Sequence, residues 1–145
     1  SNSLVFPANI APTIVSNACS VIPNASVELF GLLTSRMHMV WNNILCGRIR
    51  RDFRYSAGMV YNTFPSPKGE LTSLKKYAQN ILDVRKEFLG KGNTIDELYD
   101  PELMPAKLVK AHQALDNAVD RLYRKDQFES DIERTEYLFE TYQKV

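Results

Sequence analysis

The sequence predicts an α+β fold that is predominantly α, with short strands packed on a buried helix and followed by a small C-terminal helical bundle. Three observations predict it. β-Branched and aromatic runs cluster in residues 1–64, an apolar stripe at helical spacing runs through residues 26–46, and amphipathic stretches with capping signals fill residues 71–142. A length of 145 residues supports one sizeable hydrophobic core. With 18 Lys+Arg against 17 Asp+Glu, 44% hydrophobic and 24% charged residues, the composition excludes disordered, collagenous and coiled-coil classes.

The elements follow in order. Thr13-Ile14-Val15 and Cys19-Ser20-Val21-Ile22 read as two short strands ending at Pro23-Asn24. From Ser26, a capping residue, Glu28 in the first turn and apolar residues at Phe30, Leu33, Met37, Val40, Trp41 and Ile44 predict one helix. Leu29, Leu32, Met39 and Leu45 widen its stripe until the helix must be largely buried, and Gly47 ends it. Met59-Val60-Tyr61-Asn62-Thr63-Phe64 has strand composition. Phe64-Pro65-Ser66-Pro67-Lys68-Gly69 stops any regular element and reads as a connector, so the expected parts are residues 1–64 and 65–145.

In the second part, Leu71, Leu74, Ala78, Ile81, Leu82 and Phe88 predict a helix closed by Gly90-Lys91-Gly92. Thr94-Ile95-Asp96-Glu97 is a capping box opening a short turn. A longer helix with Pro105 in its first turn turns Leu108, Ala111, Leu115, Ala118, Val119 and Leu122 inward. Lys107, Lys110, Asp116, Asp120 and Arg121 are expected outside. Ser130-Asp131-Ile132-Glu133 is a second capping box, with Ile132, Thr135, Phe139 and Tyr142 as the inward stripe of the last helix.

Several function classes have no support. The apolar stretch of residues 27–46 carries Glu28, Arg36 and His38, so no membrane span is expected. Two cysteines cannot staple a chain of this size, which points to a reducing cytoplasm. Cys19, His38, Cys46 and His112 are too far apart in sequence for a zinc motif, so no metal site is expected. No phosphate loop, dinucleotide fingerprint or nucleophile elbow occurs, and no catalytic or cofactor-binding residue is assigned. His38 and His112 read as packing residues. The abrupt start at Ser1-Asn2-Ser3 reads as a cut segment of a longer protein.

The near-neutral balance hides a split. Residues 1–64 carry a net charge of +3, from Arg36, Arg48, Arg50, Arg51 and Arg54 against Glu28 and Asp52, whereas residues 65–145 carry −2 in mixed sign. Gly47-Arg48-Ile49-Arg50-Arg51-Asp52-Phe53-Arg54-Tyr55-Ser56 packs four arginines and two aromatics into ten residues. Guanidinium forks can bind phosphate oxygens or read guanine O6 and N7, so Arg48, Arg50, Arg51, Asp52, Arg54 and Tyr55 are the candidate DNA-binding residues. On one continuous strand, Arg48, Arg50, Asp52 and Arg54 would share a face. A solvated turn whose arginines pair with carboxylates such as Asp52 explains the same charge, and composition does not decide between them.

Several blocks carry a resemblance: Ser20-Val21-Ile22-Pro23-Asn24-Ala25, Phe30-Gly31-Leu32-Leu33-Thr34-Ser35-Arg36-Met37-His38-Met39-Val40-Trp41, Cys46-Gly47-Arg48-Ile49, Val60-Tyr61-Asn62-Thr63-Phe64-Pro65, Leu98-Tyr99-Asp100-Pro101 and Ala111-His112-Gln113-Ala114-Leu115-Asp116. In this order they resemble the C-terminal end of the MmeI-like family of bacterial adenine-specific DNA methyltransferases, restriction-modification proteins with a target-recognition domain. The resemblance implies that residues 1–64 end the target-recognition domain and residues 65–145 form the C-terminal helical domain. It implies an S-adenosylmethionine-dependent, cytoplasmic bacterial parent that methylates adenine N6, with double-stranded DNA and an upstream methyltransferase domain as partners. The family's Asn-Pro-Pro-Tyr and cofactor loops do not occur here, so catalysis would lie outside this segment. The family's specificity-setting positions lie partly in the stretch matching residues 48–54. The competing expectation is a helical interaction or bracing module without direct DNA contact.

Overall fold

The computed structural model describes residues 22, 24–46, 48–49, 52–53 and 60–144. Helix α1 (Val27–Thr34) starts where the Ser26 hydroxyl accepts the Leu29 N–H at 3.1 Å. The single helix expected over residues 26–46 is broken at Ser35, whose backbone is extended (φ −68°, ψ 158°). Ser35 serves both sides of the break. Its N–H and hydroxyl bond the Leu32 carbonyl, closing α1, and its Oγ accepts the His38 N–H at 3.4 Å, opening α2 (Arg36–Cys46).

After the connector, a 3-10 turn (Leu71–Leu74) leads into α3 (Lys75–Gly90), which closes at Gly92 with φ +95°. Helix α4 (Ile95–Leu98) opens on a complete capping box between Thr94 and Glu97. The bundle is finished by α5 (Ala106–Tyr123) and α6 (Asp131–Gln143). Ser130 caps α6 by accepting the Glu133 N–H, while the Glu133 carboxylate turns back to the Glu129 N–H. Pro105 stands just ahead of α5 rather than within its first turn.

The α+β expectation is overturned. The described residues are helical, and their strand content is a two-residue antiparallel ladder, β1 (Arg48–Ile49) with β2 (Asp52–Phe53), too short to pack as a sheet on a helix. The run Met59-Val60-Tyr61-Asn62-Thr63-Phe64 is not a strand in its described part: Val60 and Tyr61 form a π-helical turn and Asn62 and Thr63 a further turn. Val60 and Phe64 serve packing instead. Val60 is fully buried, and Phe64 meets the His38 ring edge-on at 4.7 Å. The strands expected at Thr13-Ile14-Val15 and Cys19-Ser20-Val21-Ile22 lie outside the described residues apart from Ile22, which is exposed and irregular.

One core joins all of these helices. Leu32, Met37, Val40 and Trp41 from α1 and α2 cluster with Leu74, Ile81, Leu115, Val119 and Leu138. The connector is tied down across this core: Trp41 Nε1 donates to Thr63 Oγ1, the Tyr123 hydroxyl to the Pro65 carbonyl at 2.7 Å, and the Gly69 N–H to the Leu122 carbonyl. Two inward-face expectations change. Asp120 is buried rather than outside, and on α6 Leu138 is buried while Ile132 is 72% exposed. Phe139 and Tyr142 lie on the rim against Trp41, with ring centroids 5.7 and 5.6 Å away.

Helix α1 crosses α3 and α5 closely at Gly31. A Cβ there would stand 2.9 Å from Ala78 Cβ and 3.2 Å from Leu115 Cδ1, so α1 reaches α3 and α5 only because residue 31 lacks a side chain. Gly31→Ala is expected to lower the unfolding free energy by about 1–2 kcal/mol in urea titration, overpacking outweighing the gain in helix propensity. A stabilisation of roughly 0.5–1 kcal/mol, the propensity effect alone, would show that the crossing has room to relax.

Candidate nucleic-acid interface

The predicted DNA-binding cluster begins directly after α2. The ladder places Arg48 opposite Phe53 and Ile49 opposite Asp52, so the chain reverses between Ile49 and Asp52. Arg48 and Asp52 therefore stand on the two arms of a hairpin, which replaces the single strand on which they would have shared a face. Arg50, Arg51, Arg54 and Tyr55 lie outside the described residues.

Helix α2, which precedes the ladder in the chain, is held at its start and midway along its length. At its start, the Arg36 N–H donates to Asp116 Oδ1 at 2.8 Å, so a carboxylate from α5 caps the first turn. The Arg36 guanidinium grips Asp131, the first residue of α6, with Nε 3.1 Å from both carboxylate oxygens and Nη2 bonded to Oδ2. Arg134 closes the network by bonding Asp120 through Nε and Nη2, at 3.1 and 2.7 Å, and Asp131 through Nη1 at 2.9 Å. The Arg36 hydrogen bond holds Asp131 below the usual carboxylate range, whereas burial pushes Asp116 up to about 6 despite the Arg36 N–H. Further along α2, Trp41 wedges beneath Phe139 and Tyr142. Arg36, the fifth arginine of the basic part, is thus a structural clamp.

Neither histidine is placed for chemistry. His38 is fully buried, and burial lowers its pKa to about 4. His112 pairs through Nε2 with the Tyr99 hydroxyl at 2.7 Å, and that hydroxyl accepts from Arg85 Nε at 2.7 Å. Burial, helped by the Arg85 charge, lowers His112 to about 4, so both rings are neutral at pH 7. Arg85 also lies against the rings of Phe30 and Tyr99, making this a polar joint between α1, α3 and α5. Among the described residues no three His, Cys, Asp or Glu side chains converge as a metal site, and no helix is long and apolar enough to cross a membrane.

Sequence reasoning missed a second basic feature. An open groove of about 680 Å³ runs between the start of α3 and the end of α5, lined by Lys75, Lys76 and Arg121. The adjacent pair Lys75-Lys76 was the available signal, but Arg121 lies 45 residues away and joins it only through the antiparallel packing of α3 on α5.

Comparison with known proteins gives consistent matches. Residues 6–68 match the MmeI target recognition domain and residues 67–145 the MmeI C-terminal domain. The chain is 48% identical over 151 aligned residues to DNA methyltransferase A of Bacillus subtilis (strain 168), covering 99% of this chain and 17% of that protein. It also resembles a solved structure of the type IIL restriction-modification enzyme MmeI in complex with DNA, with a TM-score of 0.78 and 42% identity. That match covers 85% of this chain and 17% of the MmeI chain. The chain therefore spans about a sixth of each relative's length.

Asp116 gives the network a measurable pH signature. Burial on folding raises its pKa from 3.8 to about 6, against the Arg36 N–H bond and the charges of Arg36 and Arg134 that pull it down, so the folded state holds the proton more tightly. The resulting stabilisation is complete below about pH 4 and is lost as pH rises through about 6. Asp116→Asn keeps an acceptor for the Arg36 N–H and cannot titrate. Its stability relative to the unsubstituted chain is expected to improve between pH 4 and pH 7 in denaturant titrations, and a constant difference would contradict this placement of Asp116.

Proposed function

Since the chain belongs to the MmeI family, we propose that it is the DNA-reading and C-terminal helical end of an S-adenosylmethionine-dependent adenine-N6 DNA methyltransferase of the restriction-modification type. The carrying observation is that the target-recognition and C-terminal family models match in tandem over residues 6–68 and 67–145. In this reading catalysis and cofactor binding belong to an upstream methyltransferase part. The relatives' extra length is consistent with that, because this chain corresponds to 17% of each.

The arginine segment would set where on the duplex the enzyme acts. Reading bases requires donors held on a fixed support, because a misplaced guanidinium loses the bidentate geometry that distinguishes guanine from other bases. The clamped α2 is such a support, and Arg48, Arg50, Arg51, Asp52, Arg54 and Tyr55 follow it directly. Chemistry on adenine N6 needs the target base turned out of the stack, so register along the duplex decides which adenine enters the upstream site. The C-terminal helices brace this segment, since α2 lies against α5 and α6.

The test is to change Arg48, Arg50, Arg51 and Arg54 singly to Ala in the full-length protein and map N6-methyladenine across a host genome. Loss of a base-reading arginine is expected to cost about 1–3 kcal/mol in discrimination and relax the methylated motif at one position. Loss of a phosphate contact should weaken all sequences alike. Four variants with unchanged motif and unchanged salt dependence would overturn the assignment.

A further inference from the structure

The groove between α3 and α5 has a chemistry that the core and the clamp do not use. Lys75, Lys76 and Arg121 are exposed and line it together, and no carboxylate is among its lining residues. None of the three makes an ion pair or hydrogen bond to a described residue; Lys76 makes only a ring contact, 4.9 Å from the centre of Tyr77. Some neighbouring cations are paired, Lys107 and Lys91 with Glu87 and Arg124 with Glu133, whereas Lys86 and Lys110, outside the groove lining, make no ion pair to a described residue. Three unneutralised cations around one concavity repel one another, a cost that an anion in the groove would remove.

The remaining lining says what kind of anion. Thr72 and Ser73 add hydroxyls and Gln79 an amide to the lining, while Tyr77, Ala118 and Leu122 add apolar surface. Lysine ammoniums are compact, rotatable charges that tolerate shifts of a repeating anionic ligand, unlike a guanidinium held in a fork geometry for one base. Regularly spaced phosphates with apolar sugar faces between them match this combination. We propose that the groove holds the sugar–phosphate backbone of duplex DNA, outside the base pairs read by the arginine segment. This rests on the DNA-reading function proposed above. Because α3 and α5 share one core with α1 and α2, a phosphate contact in the groove would fix the register of the arginine hairpin.

The experiment compares the full-length protein with a Lys75→Gln, Lys76→Gln, Arg121→Gln triple variant. A charge control changes Lys86, Lys110 and Lys144, which are exposed and outside the groove lining, to Gln. Affinity for duplexes with and without the methylated motif is measured over a series of salt concentrations. The groove variant is expected to bind both duplexes more weakly, with the slope of log K against log salt about 2–3 units shallower, and to methylate the unchanged motif. An unchanged slope, or an equal loss in the charge control, would overturn the groove assignment while leaving the DNA-reading function standing. Unchanged DNA binding with methylation lost would overturn it in favour of an acidic protein surface docking in the groove. Salt-insensitive or absent DNA binding by the unsubstituted protein would overturn both readings.

Discussion

Leu32, Met37, Val40 and Trp41 are buried against side chains that lie beyond the connector, on the 3-10 turn and on α3, α5 and α6, and the rest of the structure depends on that burial. Removing a side chain such as Leu32 or Met37 from water contributes about 1.5–3 kcal/mol. An isolated α1 or α2, of 8 and 11 residues, would be marginal as a helix in water. Residues 60–69 are consequently pulled against the bundle. The Tyr123 hydroxyl then supplies a partner for the buried Pro65 carbonyl, and Trp41 Nε1 and the Leu122 carbonyl bond Thr63 and the Gly69 N–H on either side of it.

Charge plays a different part from apolar burial. The Arg36–Asp131 pair is half-exposed, and such pairs contribute little net stability. Arg134 and Asp120 are more deeply placed, where removing one partner would leave an uncompensated charge. The network's main effect is directional. It requires the first turn of α2 to meet the middle of α5 and the start of α6 in one arrangement.

Much of the helical half was legible because its signals are local. The Thr94 capping box, the Gly90-Lys91-Gly92 stop and the Leu108, Ala111, Leu115 stripe each describe an element without reference to a partner. What failed needed tertiary information. Ser35 breaks a continuous apolar stripe because its side chain can serve two helix ends while Asp116, 81 residues away, caps the second. In Met59-Val60-Tyr61-Asn62-Thr63-Phe64, Val60 and Phe64 are packing residues, and composition cannot separate that from a sheet. On α6 the periodicity offered two adjacent apolar faces, and the contact with Trp41 decided which became the rim. The arginine cluster was visible from charge alone, but the pairing of Arg48–Ile49 with Asp52–Phe53 was not, since alternation along one strand and pairing across two use the same residue types.

The central claim is that the recognition helices and the C-terminal helices are one cooperative unit, and the chain's sole tryptophan reports on it. Trp41 lies on α2 against Phe139 and Tyr142 of α6, so its fluorescence follows the α2–α6 contact while far-UV circular dichroism follows all the helices. The account predicts that the two signals trace one coincident transition in urea. A fluorescence change completed at lower urea than the loss of helicity would mean that α2 leaves an intact C-terminal bundle, and would contradict it.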